Sequence, residues 1–139
     1  DPFKFLPPLT SKDYMLYGIG LGIYWGEGTK ANKYSIRVGN TDPQLIRSFM
    51  LFLVRFFCIK PGDLKFSLQI FSDMDPREAE RFWMKSLKVK PSQFMKTTIT
   101  KSGSIGTYRK KSQCGVVTLY YHNKKLRNLL MNKLEGFKT

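Results

Sequence analysis

Apolar side chains between Lys12 and Glu27 fall almost all the way around a predicted helix: Tyr14, Leu16, Tyr17, Ile19, Leu21, Ile23, Tyr24 and Trp25. A helix with hardly any polar face is expected to be buried on most sides. Ser11 or Asp13 offers its N-terminal cap. Tyr34 to Val38 then alternates, which predicts a strand with Tyr34, Ile36 and Val38 on one face and Ser35 and Arg37 on the other. Asp42-Pro43 is a cap followed by a proline suited to the first helical position. The helix expected after it carries Leu45, Ile46, Phe49, Phe52, Leu53 and Phe56 at three- and four-residue spacings. The same sequence of signals then repeats. Leu64 to Phe71 alternates, with Leu64, Phe66, Leu68 and Ile70 inward and Lys65, Ser67 and Gln69 outward, and Asp75-Pro76 opens a helix through Phe82, Trp83 and Leu87.

Beyond Pro91, the Thr-rich run Phe94 to Lys101 and the run Val116 to Tyr121 read as strands. Asn123 to Leu134 reads as an amphipathic helix resting on Leu126, Leu129, Leu130 and Leu134. Residues 1–11, with three prolines before Leu9, read as an N-terminal arm, and 12–139 as a single domain. Four strands with helices gathered on one face make an α+β architecture. Its polar strand positions (Ser35, Arg37, Lys65, Ser67, Gln69, Lys96, Thr98, Thr100, and Thr118 or its neighbours) are expected to form one basic, hydroxyl-rich sheet surface.

Charge narrows the partner. Lys and Arg number 24 against 10 Asp and Glu, a formal net charge of +14. That excess strains a compact fold through self-repulsion, and a nucleic acid is the usual polyanion that offsets it. The basic run Arg109, Lys110 and Lys111 is a candidate for phosphate contact, though a solvated charge run is the commoner meaning of such a stretch. Cys58 and Cys114 stand far apart, which gives neither a disulfide framework nor a zinc knuckle, and the single histidine, His122, excludes a His-based metal cluster. A reducing, intracellular compartment fits this cysteine usage. The longest uncharged run near the start, Tyr14 to Gly26, is shorter than the roughly 20 apolar residues a bilayer span needs. No membrane partner and no small organic cofactor is expected.

The chemistry concentrates in Gly18-Ile-Gly-Leu-Gly22-Ile-Tyr-Trp-Gly26-Glu27-Gly28. Glycine costs about 1 kcal/mol relative to alanine inside a helix, so something must compensate. Gly18, Gly22 and Gly26 recur every four residues and form a stripe that lets another backbone approach, and a symmetry-related copy of the same helix is the simplest partner. The alternative is packing against the domain's own sheet. Glu27 is oddly placed, because an acid at the partially negative end of a helix costs about 0.3–1 kcal/mol. A bound cation would account for it, and a hard divalent ion such as Mg²⁺ takes oxygen ligands. The bland alternative is a solvated acid after a core helix.

Gly20-Leu-Gly-Ile-Tyr-Trp-Gly-Glu27-Gly28 resembles the nine-residue motif of the LAGLIDADG homing endonucleases, with glycine third, a small residue seventh, acid eighth and glycine ninth. The likeness is strongest over residues 12–58. It implies a four-stranded antiparallel, saddle-like sheet in the DNA major groove and a homodimer joined through the motif helix, with Gly18, Gly22, Tyr24, Trp25 and Gly26 at the interface. It also implies a divalent metal, Mg²⁺ or Mn²⁺, held by Glu27 with Gly26 contributing backbone nearby. Lys90 and Lys96 are candidates for a basic catalytic residue beside the scissile phosphate. The chain departs from the family pattern in several ways. Trp25 replaces the motif's first acid, Glu replaces the usual Asp, only six residues separate Glu27 from Tyr34, and a helix at 76–87 interrupts the second hairpin. The expected activity is metal-dependent cleavage of duplex DNA by a homodimer. Its rivals are a non-cleaving DNA- or RNA-binding module of the same fold, such as a regulator or splicing helper, and a basic ribosome-associated protein.

Overall fold

The computed structural model describes residues 3–101 and 114–138. Its elements follow the expected order: α1 (Ser11–Glu27), β1 (Ser35–Asn40), α2 (Pro43–Phe57), β2 (Lys65–Phe71), α3 (Pro76–Leu87), β3 (Thr98–Thr100), β4 (Val116–His122) and α4 (Lys124–Phe137), with short 3₁₀ turns at Pro61–Asp63 and Pro91–Gln93.

Local chemistry starts each helix. Thr10, one residue ahead of the expected caps, closes α1. Its Oγ1 accepts from the Asp13 backbone N–H at 3.0 Å, while the Asp13 carboxylate accepts from Thr10 N–H at 3.4 Å. Asp42 and Asp75 cap α2 and α3 through the N–H groups of Gln44 and Arg77, each with proline at the first turn. The repeated strand–cap–helix unit is therefore real. Asn123 caps α4 in the same manner.

The arm is part of the fold. Leu6 N–H donates to Phe56 O at 2.8 Å and Lys4 N–H to Phe57 O at 3.2 Å. These bonds satisfy carbonyls that the end of α2 would otherwise leave bare. Phe5 packs its ring 5.4 Å from that of Phe57.

The four strands run β1-β4-β2-β3. Central β4 is antiparallel to both β1 and β2, with Val38 opposite Leu119 and Leu68 opposite Val117. The expectation of a wholly antiparallel sheet is corrected at β3, which runs parallel to β2 with Gln69 opposite Thr98. The cause is α3. A strand–helix–strand passage returns the chain to its starting end, which a tight hairpin cannot do.

Ile36, Val38, Phe66, Leu68, Ile70, Val117 and Leu119 form the buried face of the sheet. They share one core with Leu21 and Tyr24 of α1, the phenylalanines of α2, Trp83 of α3, and Leu126, Leu130 and Leu134 of α4. Each such side chain contributes about 1.5–3 kcal/mol on burial, which holds the helices to one side and leaves the other side of the strands uncovered by them.

Candidate nucleic-acid interface and carboxylate site

On the helix-free face, pairing aligns side chains in rows. Arg37, Tyr120 and Lys65 share one row across β1, β4 and β2. Gly39, Thr118 and Ser67 form the next, followed by Val116, Gln69 and Thr98. None of the four described strands carries an acidic residue. Lys65, Gln69 and Thr98 are exposed, and Arg37 and Ser67 are half-buried. Ser67 Oγ lies 3.3 Å from Tyr120 Oη, and Gln69 Nε2 donates to Thr100 Oγ1 at 3.0 Å. Arg37 is fixed from two sides. Its Nε donates to Ser35 Oγ at 2.9 Å, and its guanidinium carbon stands 4.9 Å from the centre of the Tyr120 ring.

Ser35, expected to meet nucleic acid, is fully buried and supports Arg37 instead. Tyr34, expected inside, is exposed, because the strand begins one residue later and Asn32 Oδ1 accepts from the N–H groups of both Tyr34 and Ser35. Tyr120 was not singled out from sequence, although the alternation of β4 carries the signal, and His122 stands at the end of β4, as a strand-end residue. Together with Arg37, Lys65, Asp63, Met95 and Tyr121 they line a cavity of about 560 Å³ at one end of the sheet.

At the foot of α1, Glu27 is exposed. Directly after it, Gly28 bridges to Val38 in antiparallel sense and Thr29 N–H donates to Arg37 O at 2.9 Å. Between α1 and β1 the pairing is thus a single isolated bridge. That bridge ties the backbone next to Glu27 to β1, an edge strand among the described strands. Lys30 carries no signal in the sequence. Its Nζ donates to Trp25 O at 2.5 Å and to Gly28 O at 2.9 Å. Burial pushes the Lys30 ammonium below its ordinary pKa and the Lys138 charge adds to that, while Glu27 opposes both. The cation required at this helix end is therefore supplied, at least for the carbonyls, by the chain itself. Arg127 Nη2 donates to Lys30 O at 2.7 Å and holds the turn in place. Among the described residues no cluster of three or more His, Cys, Asp or Glu side chains is placed to hold a metal. One carboxylate beside an ammonium does not make a metal centre within a single chain.

The outward side of α1 is bare. Only Gly20, Leu21 and Tyr24 are buried, which corrects the expectation of a helix covered on most sides. Tyr14, Met15, Ile19 and Trp25 are 45–68% exposed. A β-carbon at Gly22 or Gly26 would meet nothing within 4 Å, whereas one at Gly18 would touch Phe137. The glycine that permits a close approach inside the chain is Gly20, where a β-carbon would collide with the Phe52 ring. Tyr24 is removed from the expected dimer surface. It is wholly buried, with its ring stacked 6.2 Å from that of Phe49.

Lys90 and Lys96 are exposed ahead of β3, on the sheet edge opposite β1 and therefore away from Glu27. The structure does not bring them to the carboxylate. Arg109, Lys110 and Lys111 lie outside the described residues. No described helix is long and apolar enough to cross a membrane. Compared with family models, curated proteins and solved structures, the chain matches none.

Proposed function

We propose that this chain is a duplex-DNA-binding protein of the homing-endonuclease kind, which pairs through the bare face of α1 and cleaves DNA at Glu27. The observation that carries this reading is the bridge between Gly28 and Val38. It sets Glu27, one residue before the bridge, beside the edge strand of the sheet, at the end of a helix whose outward side is exposed and apolar. Pairing two copies of α1 about a two-fold axis covers Met15, Ile19 and Trp25, brings the two Glu27 side chains together, and sets two β1 edges side by side along one duplex. Two carboxylates would supply oxygen donors for Mg²⁺ or Mn²⁺ that one carboxylate does not. Such an ion supplies an activated water and neutralises charge on the phosphodiester. In the chain itself, Glu27 holds the position, Lys30 fixes the backbone on either side of it, and Arg37 and Lys65 engage the duplex.

The test is a nicking assay on supercoiled plasmid with Mg²⁺ or Mn²⁺, paired with solution mass. Wild type is expected to cleave and to have the mass of a dimer. Glu27→Gln is expected to bind DNA without cleaving it. A wild-type protein that never nicks overturns the cleavage reading.

A second reading has its own support. Lys30 already satisfies the carbonyls at the helix end, and no metal-ligand cluster exists among the described residues. Both facts favour a module of this fold that binds DNA without cutting it. Duplex binding with no cleavage under any divalent cation is its signature.

A further inference from the structure

We propose that Arg37 reads one guanine for each bound copy of the chain, with Ser35 and Tyr120 as its positioning residues. This rests on the duplex-binding reading above and names its specificity determinant. An arginine side chain on a sheet surface is ordinarily free to sample many rotamers, and fixing it has an entropic cost. Here that cost is met within the fold. Ser35 Oγ, fully buried, accepts from Nε at 2.9 Å, and the Tyr120 ring lies under the guanidinium at 4.9 Å. With Nε committed, the two Nη groups remain, and no described residue takes a hydrogen bond from them. They form the end-on fork that matches the paired acceptors O6 and N7 on the major-groove edge of guanine. A lysine presents a single ammonium and lacks this planar fork. Tyr120 is central in its row, with Arg37 on one side and Lys65 on the other. A base edge met by Arg37 therefore has a phosphate-seeking cation two strand spacings away, roughly 10 Å, to fix the register.

A binding selection from a randomised duplex library tests this. Wild type is expected to enrich a motif with an invariant guanine, once per bound copy. Arg37→Gln is expected to move that position toward adenine, since glutamine pairs with adenine N6 and N7. Ser35→Ala keeps the charge and is expected to keep overall affinity within a few-fold, while the preference for guanine falls about 10- to 100-fold. Tyr120→Phe retains the ring and is expected to leave the motif unchanged. Melting curves establish that each variant folds, and Arg37→Lys replaces Arg37→Gln if the latter does not. It is expected to lose preference with little loss of affinity. An unchanged motif with affinity lowered equally for all sequences makes Arg37 a phosphate anchor and overturns the inference, while the duplex-binding reading stands. Failure of wild type to retain any duplex overturns both.

Discussion

Arg55 and Asp13 meet across 42 positions of sequence, with Nη2 2.6 Å from Oδ2, and so pin the start of α1 to the last turn of α2. Asp13 also accepts from Leu9 and Thr10 N–H. Its carboxyl is held below the ordinary value of 3.8, chiefly by the Leu9 N–H and then by Arg55 and Thr10, with burial opposing. A depressed folded-state value means that the stabilisation is complete above the unfolded value and is lost as pH falls through the lower, folded one. Asp13→Asn is expected to melt at lower temperature than wild type at pH 7. The two melting curves should converge as pH drops below about 3.8. A constant gap down to the acid transition contradicts this account.

The glycines of α1 should separate cleanly by mutation. Gly20→Ala drives a methyl into the Phe52 ring and should destabilise the fold by about 1–3 kcal/mol, as overpacking does. Gly22→Ala and Gly26→Ala enter open space. In dilute protein they should be neutral or stabilising by up to about 1 kcal/mol. If α1 is the dimer surface, the same two substitutions weaken self-association. Sedimentation at several concentrations, beside chemical denaturation, reads both effects.

Lys30→Met removes the ammonium from Trp25 O and Gly28 O. A loss on the order of 0.3–1 kcal/mol is expected, the usual scale for a cation at a helix C-terminus. Urea denaturation should show a lower midpoint with an unchanged slope. Repeating it at 1 M salt should shrink the difference, because the half-exposed charge is screened. An undiminished difference points to the lost apolar stem instead.

Lys65 projects from the helix-free sheet face, exposed, and its ammonium has no hydrogen bond among the described residues. On the duplex-binding reading, Lys65→Ala should weaken binding to all sequences alike. It should also lower the slope of log affinity against log salt by about one phosphate contact. Titrations between 50 and 200 mM salt, by fluorescence anisotropy, are sufficient (roughly the range over which such slopes are read).

Much of the fold could be read from periodicity and caps because those signals are local. Asp42-Pro43 and Asp75-Pro76 declare two helix starts, and the alternation of Phe66, Leu68 and Ile70 declares which side of β2 is inside. Relations set by the three-dimensional path of the chain or by main-chain acceptors were not legible. The parallel pairing of Gln69 with Thr98 depends on how α3 returns the chain, which no window of alternating residues encodes. Tyr34 looked like a core residue and Ser35 like a surface one until Asn32 and Arg37 took up their positions. Lys30 gave no signal because its partners are main-chain carbonyls, which every residue possesses. Glu27 stood out because an acid at the partially negative end of a helix breaks a rule that can be read residue by residue.

The pairing of Lys4 and Leu6 with the last carbonyls of α2 means that the boundary expected at residue 11 is no safe place to cut. A protease clipping ahead of Thr10 would strip a sealing strip from the end of the longest phenylalanine-bearing helix, opening Phe57 and two peptide oxygens to water. The durability of the whole molecule thus depends on residues 3–9, a stretch that adopts no regular structure of its own.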